Sequence, residues 1–153
     1  MMLILYELKQ TQCGLGIFAA TNIKKNTIVW NDSFGVKILD KITNDKERHF
    51  AYMEDEKILL NLDDSRYINH SCDANLLDVD HTCIAKRDIP KGIEITWDYR
   101  GSMNDGQSFI CKCGSAKCVG VISQTTKVES SSSKGSGSRL SWVKCRLRIN
   151  HIL

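Results

Sequence analysis

Four cysteines restrict what this chain can fold into more than any other feature: Cys72, and far downstream Cys111-x-Cys113-x4-Cys118. Thiolates at i, i+2 and i+7 wrap a single ion from one face, so a tetrahedral site needs a fourth ligand from elsewhere, and Cys72 is the best candidate. The ion, a structural zinc at one per chain, would fasten the 111–118 segment onto a polar core loop, making metal binding part of folding. Four thiolates close the coordination shell and leave no position for a reacting water. The other three cysteines, Cys13, Cys83 and Cys145, fit no ligand spacing and read as small buried hydrophobes.

Seven cysteines in 153 residues would suggest a disulfide scaffold in a secreted protein, but the number is odd. Met1 to Leu5 is short for a signal peptide and lacks its basic start. The expectation is therefore an intracellular, reducing setting with thiolates available to metal. No apolar run approaches the roughly 18 residues of a membrane span. With 42% hydrophobic and 25% charged residues the chain suits one globular domain.

Charge is unevenly placed. Residues 121–153 carry six Lys or Arg against one acid, leaving 15 basic and 17 acidic residues in 1–120. A mildly acidic body suits a cationic partner better than a nucleic-acid backbone, so the core is not expected to bind DNA or RNA. Ser123 to Ser138 is rich in Ser, Thr, Gly and Lys and cannot bury enough apolar area to order itself. The segment Leu140 to Ile149 alternates loosely, and a strand, a partner-binding segment or a nucleic-acid arm all fit it.

Short apolar runs rich in Ile, Val, Leu and Trp predict strands over 3–8, 16–20, 27–31, 34–39, 57–62, 76–79, 82–86 and 93–97. One helix is predicted near 44–53, where Asn44 can cap and Glu47 follows three residues on, ahead of Phe50 and Met53. Pro90-Lys91-Gly92 reads as a turn between strands. There is no repeat and no strand-helix rhythm of a parallel sheet, so the architecture is mainly β, built of small sheets.

Four motifs fall in a telling order. They are Gly14-Leu15-Gly16-Ile17-Phe18-Ala19; Arg66-Tyr67-Ile68-Asn69-His70-Ser71-Cys72-Asp73-Ala74-Asn75; Ala85 to Tyr99, ending Ile93-Glu94-Ile95-Thr96-Trp97-Asp98-Tyr99; and Cys111 to Gly120. Over roughly residues 3–120 the chain resembles a SET-domain protein-lysine methyltransferase with a zinc-binding post-SET segment. The resemblance implies a β-clip type fold of several small sheets with a knot-like crossing. Its divisions are a SET domain over 1–100, a post-SET zinc segment over 101–122 and a basic, Ser-rich, disordered tail over 123–153.

It also implies an activity: methyl transfer from S-adenosylmethionine to a lysine amine of a protein, foremost a histone tail. Gly14, Leu15 and Gly16 match the loop lying along the donor, where a close backbone approach leaves no room for a Cβ. Asn69 and His70 match residues that hold the donor through side-chain and main-chain hydrogen bonds. Tyr99 matches the catalytic tyrosine, and Tyr52 loosely matches a second pocket tyrosine. Trp97 stands where relatives commonly have Phe or Tyr, a position tied to the number of methyl groups added, and Ile93 where many have Glu. The basic, Ser-rich tail would suit a nuclear protein, so the expected location is nuclear or chromatin-associated, and otherwise intracellular. The competing readings are a donor-binding but idle scaffold, a zinc-stapled interaction module, and an enzyme acting on a non-histone protein.

Overall fold

The computed structural model describes residues 2–31, 36–41, 43–44, 51–54, 57–79, 82–100, 108–123 and 125–126. Among these the chain forms twelve short strands and one 3-10 helix, Asp64–Tyr67. The first two strands, β1 (Tyr6–Thr11) and β2 (Gly14–Ala19), make an antiparallel hairpin closed by Gln12-Cys13, with Thr11 opposite Gly14. Gly14 adopts φ +100°, a left-handed conformation that a side chain resists and that lets the turn reverse in two residues. Strand β3 (Ile28–Asn31) joins a second sheet, and β4 (Val36–Leu39), β5 (Ala51–Glu54) and β6 (Lys57–Asn61) form a third with β6 central.

The two-residue β7 (Asn69–His70) is followed by β8 (Leu76–Val79) and β9 (Thr82–Ala85), and β9 lies between β3 and β8. Strand β10 (Thr96–Trp97) runs parallel to β7, with Thr96 opposite Asn69 and Trp97 opposite His70. Strands β11 (Ser108–Ile110) and β12 (Val121–Ser123) form a last antiparallel pair.

Residues 93–97 are gripped from three directions, and this grip positions the site. The Ala19 amide donates to the Ile93 carbonyl and the Ile95 amide to the Ile17 carbonyl, fixing the segment to β2. On the other side the Ser71 amide donates to the Trp97 carbonyl. Buried Asn75 completes the grip: its Nδ2 donates to the Glu94 carbonyl at 2.8 Å and its Oδ1 accepts from the Thr96 amide at 2.9 Å. A buried amide that satisfies two backbone groups outside any regular ladder holds the crossing where no long strand can.

Two apolar clusters result. The larger gathers Ile17, Val29, Ile89 and Ile95, all at most 1% exposed, with Trp30, Leu76, Cys83 and Ala85. Each such aliphatic side chain contributes about 1.5–3 kcal/mol on burial. The smaller holds Cys72, Tyr99, Phe109, Cys111 and Ile122, and Trp97 packs against both.

The departures from the expected pattern have local causes. The first strand covers 6–11 rather than 3–8, because pairing is set by the tight turn at 12–13 and outweighs apolar content, leaving four of six β1 residues exposed. The helix expected near 44–53 is contradicted at its end: Ala51–Glu54 is β5, paired antiparallel with β6, while 45–50 lie outside the described residues. Cross-strand pairing overrides a local capping signal there. The strand expected over 93–97 is regular only at 96–97. Strand β12 reaches Ser123, one residue into the stretch read as tail, and 127–153 lie outside the described residues. No helix among the described residues is long and apolar enough to cross a membrane.

Candidate active site and thiol cluster

The expected donor loop lies on β2, where the β1–β2 turn leads into Leu15 and Gly16. A Cβ built on Gly16 would sit 2.5 Å from Glu94 Oε1, 2.8 Å from Thr11 Cγ2 and 2.9 Å from Asn69 Nδ2. Real Cβ atoms essentially never show such distances, so a side chain here would displace the side chains of Glu94, Thr11 and Asn69, and glycine lets the loop backbone lie against both the Asn69 amide and the Glu94 carboxylate. Asn69, 5% exposed, donates from Nδ2 to Glu94 Oε1 at 2.7 Å and to the Leu15 carbonyl at 3.3 Å.

One residue on, His70 is oriented by two contacts. The Tyr99 amide donates to His70 Nδ1 at 3.0 Å, so Nδ1 carries the lone pair and the ring proton resides on Nε2, which lies 3.3 Å from Cys72 Sγ. Burial is the largest influence on this ring, with Asp98 opposing it and the Arg100 guanidinium reinforcing it, and its pKa is lowered to about 4. His70 is therefore neutral at physiological pH.

Tyr99 is 1% exposed, and its hydroxyl donates to the Ile68 carbonyl at 2.5 Å, adjacent to Asn69. Its ring meets His70 at 5.3 Å, Trp97 at 5.8 Å and Phe109 at 6.2 Å between centroids, in tilted or edge-on contacts. The positions expected near 15, 70 and 99 are thus brought together. Tyr52 lies on β5 opposite Leu59, and its side chain is outside the described residues.

Cys72, Cys111, Cys113 and Cys118 place their sulfurs within 4.8 Å of one another, a group that could hold a metal ion. Cys72 and Cys111 sulfurs are 3.8 Å apart, which matches the edge of a tetrahedron whose corners lie about 2.3 Å from its centre. The Cys72 amide points at Cys113 Sγ at 3.5 Å. Burial pushes the Cys72 and Cys111 thiols up. Burial also opposes ionisation of Cys113, but backbone N–H groups of Cys72 and Ser115 outweigh it and hold that thiol at about 7. Cys83 is buried in the larger core, Cys13 stands outside the four-thiol group, and Cys145 is outside the described residues.

Several residues around the site escaped the sequence reading. Arg100 donates to both carboxylate oxygens of Asp98, at 2.7 and 3.0 Å, and to the Cys72 carbonyl at 3.1 Å, linking the strand after β10 to the thiol loop. Gln12, in the β1–β2 turn, donates to the Lys112 carbonyl between two of the cysteines. Glu94 lies against the Gly16 backbone and accepts from Asn69. Its available signal was an acid set between Ile93 and Ile95 in an otherwise apolar run; nothing local distinguished Gln12.

Residues 14–100 match the family model for the SET domain. The chain is similar to human histone-lysine N-methyltransferase 2D, 33% identical over 126 residues, covering 69% of this chain and 2% of the relative. It is also similar to two fission yeast (Schizosaccharomyces pombe) proteins. One is a histone-lysine N-methyltransferase, H3 lysine-36 specific, 31% identical over 140 residues and covering 78% of this chain and 17% of the relative. The other is a histone-lysine N-methyltransferase, H3 lysine-4 specific, 28% identical over 136 residues and covering 71% of this chain and 14% of the relative. The chain thus spans a small part of the length of these relatives. By the extent of the match and the order of its motifs, the chain belongs to the SET-domain family.

Proposed function

We propose that this chain is a protein-lysine N-methyltransferase that uses S-adenosylmethionine and acts on a histone tail, in the nucleus or on chromatin. The observation that carries the reading is the meeting of three remote segments: the Tyr99 hydroxyl on the Ile68 carbonyl, the adjacent Asn69 amide on the Leu15 carbonyl, and a backbone at Gly16 with no room for a side chain. The names of the relatives point the same way.

S-adenosylmethionine, when bound, supplies a methyl group on a positively charged sulfur. Gly14, Leu15 and Gly16 would hold it from the hairpin, and Asn69 and His70 from β7, with side-chain and main-chain polar groups. The remaining task is to present lysine as a neutral amine, which costs about 4.6 kcal/mol at pH 7 from a reference pKa near 10.4. The rings of Trp97, Tyr99 and Phe109 provide apolar surface that disfavours an ammonium by desolvation. Tyr99 orients the nitrogen with its hydroxyl, and fixing the amine in line contributes through proximity. Tyr52 is the candidate for a second pocket tyrosine. The thiol cluster would hold one structural zinc, with no catalytic position left open.

The test is transfer of labelled methyl from S-adenosylmethionine to core histones and lysine-peptide libraries, with product masses read directly. Label on lysine that falls sharply in Tyr99→Phe is the expected result. Donor binding with no transfer to any substrate would favour an idle scaffold; zinc at one per chain with no donor binding would favour an interaction module.

A further inference from the structure

The Asn69 side chain can face its surroundings in two ways, and Glu94 decides between them. A primary amide has one nitrogen with two hydrogens and one acceptor oxygen. Here the nitrogen end faces three oxygens, Glu94 Oε1 at 2.7 Å, the Leu15 carbonyl at 3.3 Å and Thr11 Oγ1 at 3.5 Å, of which the Glu94 carboxylate is the nearest, so its hydrogens are directed at oxygen acceptors. Rotating the amide by half a turn would set its oxygen against a carboxylate and a carbonyl with no proton between them. The Leu15 carbonyl is fixed by the β1–β2 ladder, whereas the Glu94 carboxylate is a charged acceptor delivered by the segment that threads between β2 and β7. It lies against the donor loop itself, because a Cβ on Gly16 would sit 2.5 Å from the same oxygen.

We infer that Glu94 is a positioning residue for the methyl donor: by pinning the Asn69 nitrogen it turns the amide oxygen outward as an acceptor for a hydrogen-bond donor of the bound cofactor. This rests on the reading of Asn69 as a donor-binding residue. Glu94 acts through Asn69 and takes no part in the chemical step. Its loss therefore weakens donor binding and leaves the turnover of the saturated enzyme nearly intact.

The experiment is a calorimetric double-mutant cycle with S-adenosylmethionine as the titrant, on zinc-loaded full-length protein with thermal melting as the check on folding. Glu94→Ala should raise the donor Kd about tenfold, as loss of a hydrogen bond to a charged acceptor would. Its kcat at saturating donor should stay within about threefold of wild type. Glu94→Gln, whose Oε1 still accepts from Asn69, should hold Kd within about threefold. In an Asn69→Ala background the Glu94→Ala change should add nothing further. A Kd unmoved by Glu94→Ala, or the same loss with Asn69 absent, overturns the proposal.

A second measurement needs no variant. In the wild-type protein both Asn69 side-chain amide protons should exchange with heavy water more slowly than those of exposed Asn44; equal exchange rates would sink the pinning argument even where a variant fails to fold. Wild-type protein that binds no donor would remove the proposed function and this inference together. Intact donor binding with an insensitive Glu94 removes this inference alone.

Discussion

The two clusters that meet at Trp97 are held by different forces. The larger is an apolar core in which Ile17, Val29, Ile89 and Ile95 interlock at 1% exposure or less, and through Ile17 it holds β2 with Leu15 and Gly16. The smaller buries five residues, two of them metal-ligand candidates, and depends on sulfurs, a neutral imidazole and an Asp98–Arg100 pair for its cohesion. Tyr99 belongs to the second. On the proposed function, the Gly14–Gly16 loop and Tyr99 draw stability from separate clusters that are joined through His70 and Trp97, so each can be perturbed with the other largely in place.

The strongest way to break this division is to strip the zinc proposed at the thiol cluster. Chelation, or Cys111→Ser, should abolish methyl transfer, because structural thiolate sites supply the folding free energy of the segments they join. Amide exchange should rise first in β11 and β12 and leave β2 and β9 protected; simultaneous loss in both regions would show one cooperative unit. Next in size is Tyr99→Phe. Transfer should fall roughly 100-fold, the scale of a positioned proton-handling group, while stability drops by only about 1 kcal/mol for one lost hydrogen bond, as read by denaturant unfolding.

On the apolar side, Ile95→Val should cost about 0.5–1.5 kcal/mol of stability with kcat/KM unchanged below the melting temperature. A large activity loss would mean the two clusters are not separable at that strand. The smallest effect sharpens the contact between them. Trp97→Tyr places a hydroxyl beside Tyr99, whose ring lies 5.8 Å away, and should shift the product distribution by mass spectrometry toward fewer methyl groups. An unchanged distribution would remove Trp97 from product control.

The thiol cluster was legible because metal ligation imposes residue type and spacing directly, and Cys72 to Cys118 assembled as expected. The meeting of Tyr99 with the Asn69 loop was legible only through the order of the motifs, since a two-residue strand such as β7 or β10 has no period to detect. The helix expected near 44–53 shows the reverse problem at its end, residues 51–53. Asn44 and Glu47 offer a local cap, but partners on β6 settle Ala51–Glu54 as strand. Glu94 and Asn75 were missed because their roles consist of bonds to segments 25 and 19 residues away, which no local window contains.

The Gln12 contact to Lys112 spans 100 positions. This tether joins the β1–β2 turn to the cysteine loop, so it closes only once nearly all of the intervening chain is in place. Closing so long a loop carries an entropic cost and slows folding. A folding chain is accordingly expected to form the β1–β2 turn before that turn is moored to the Lys112 carbonyl.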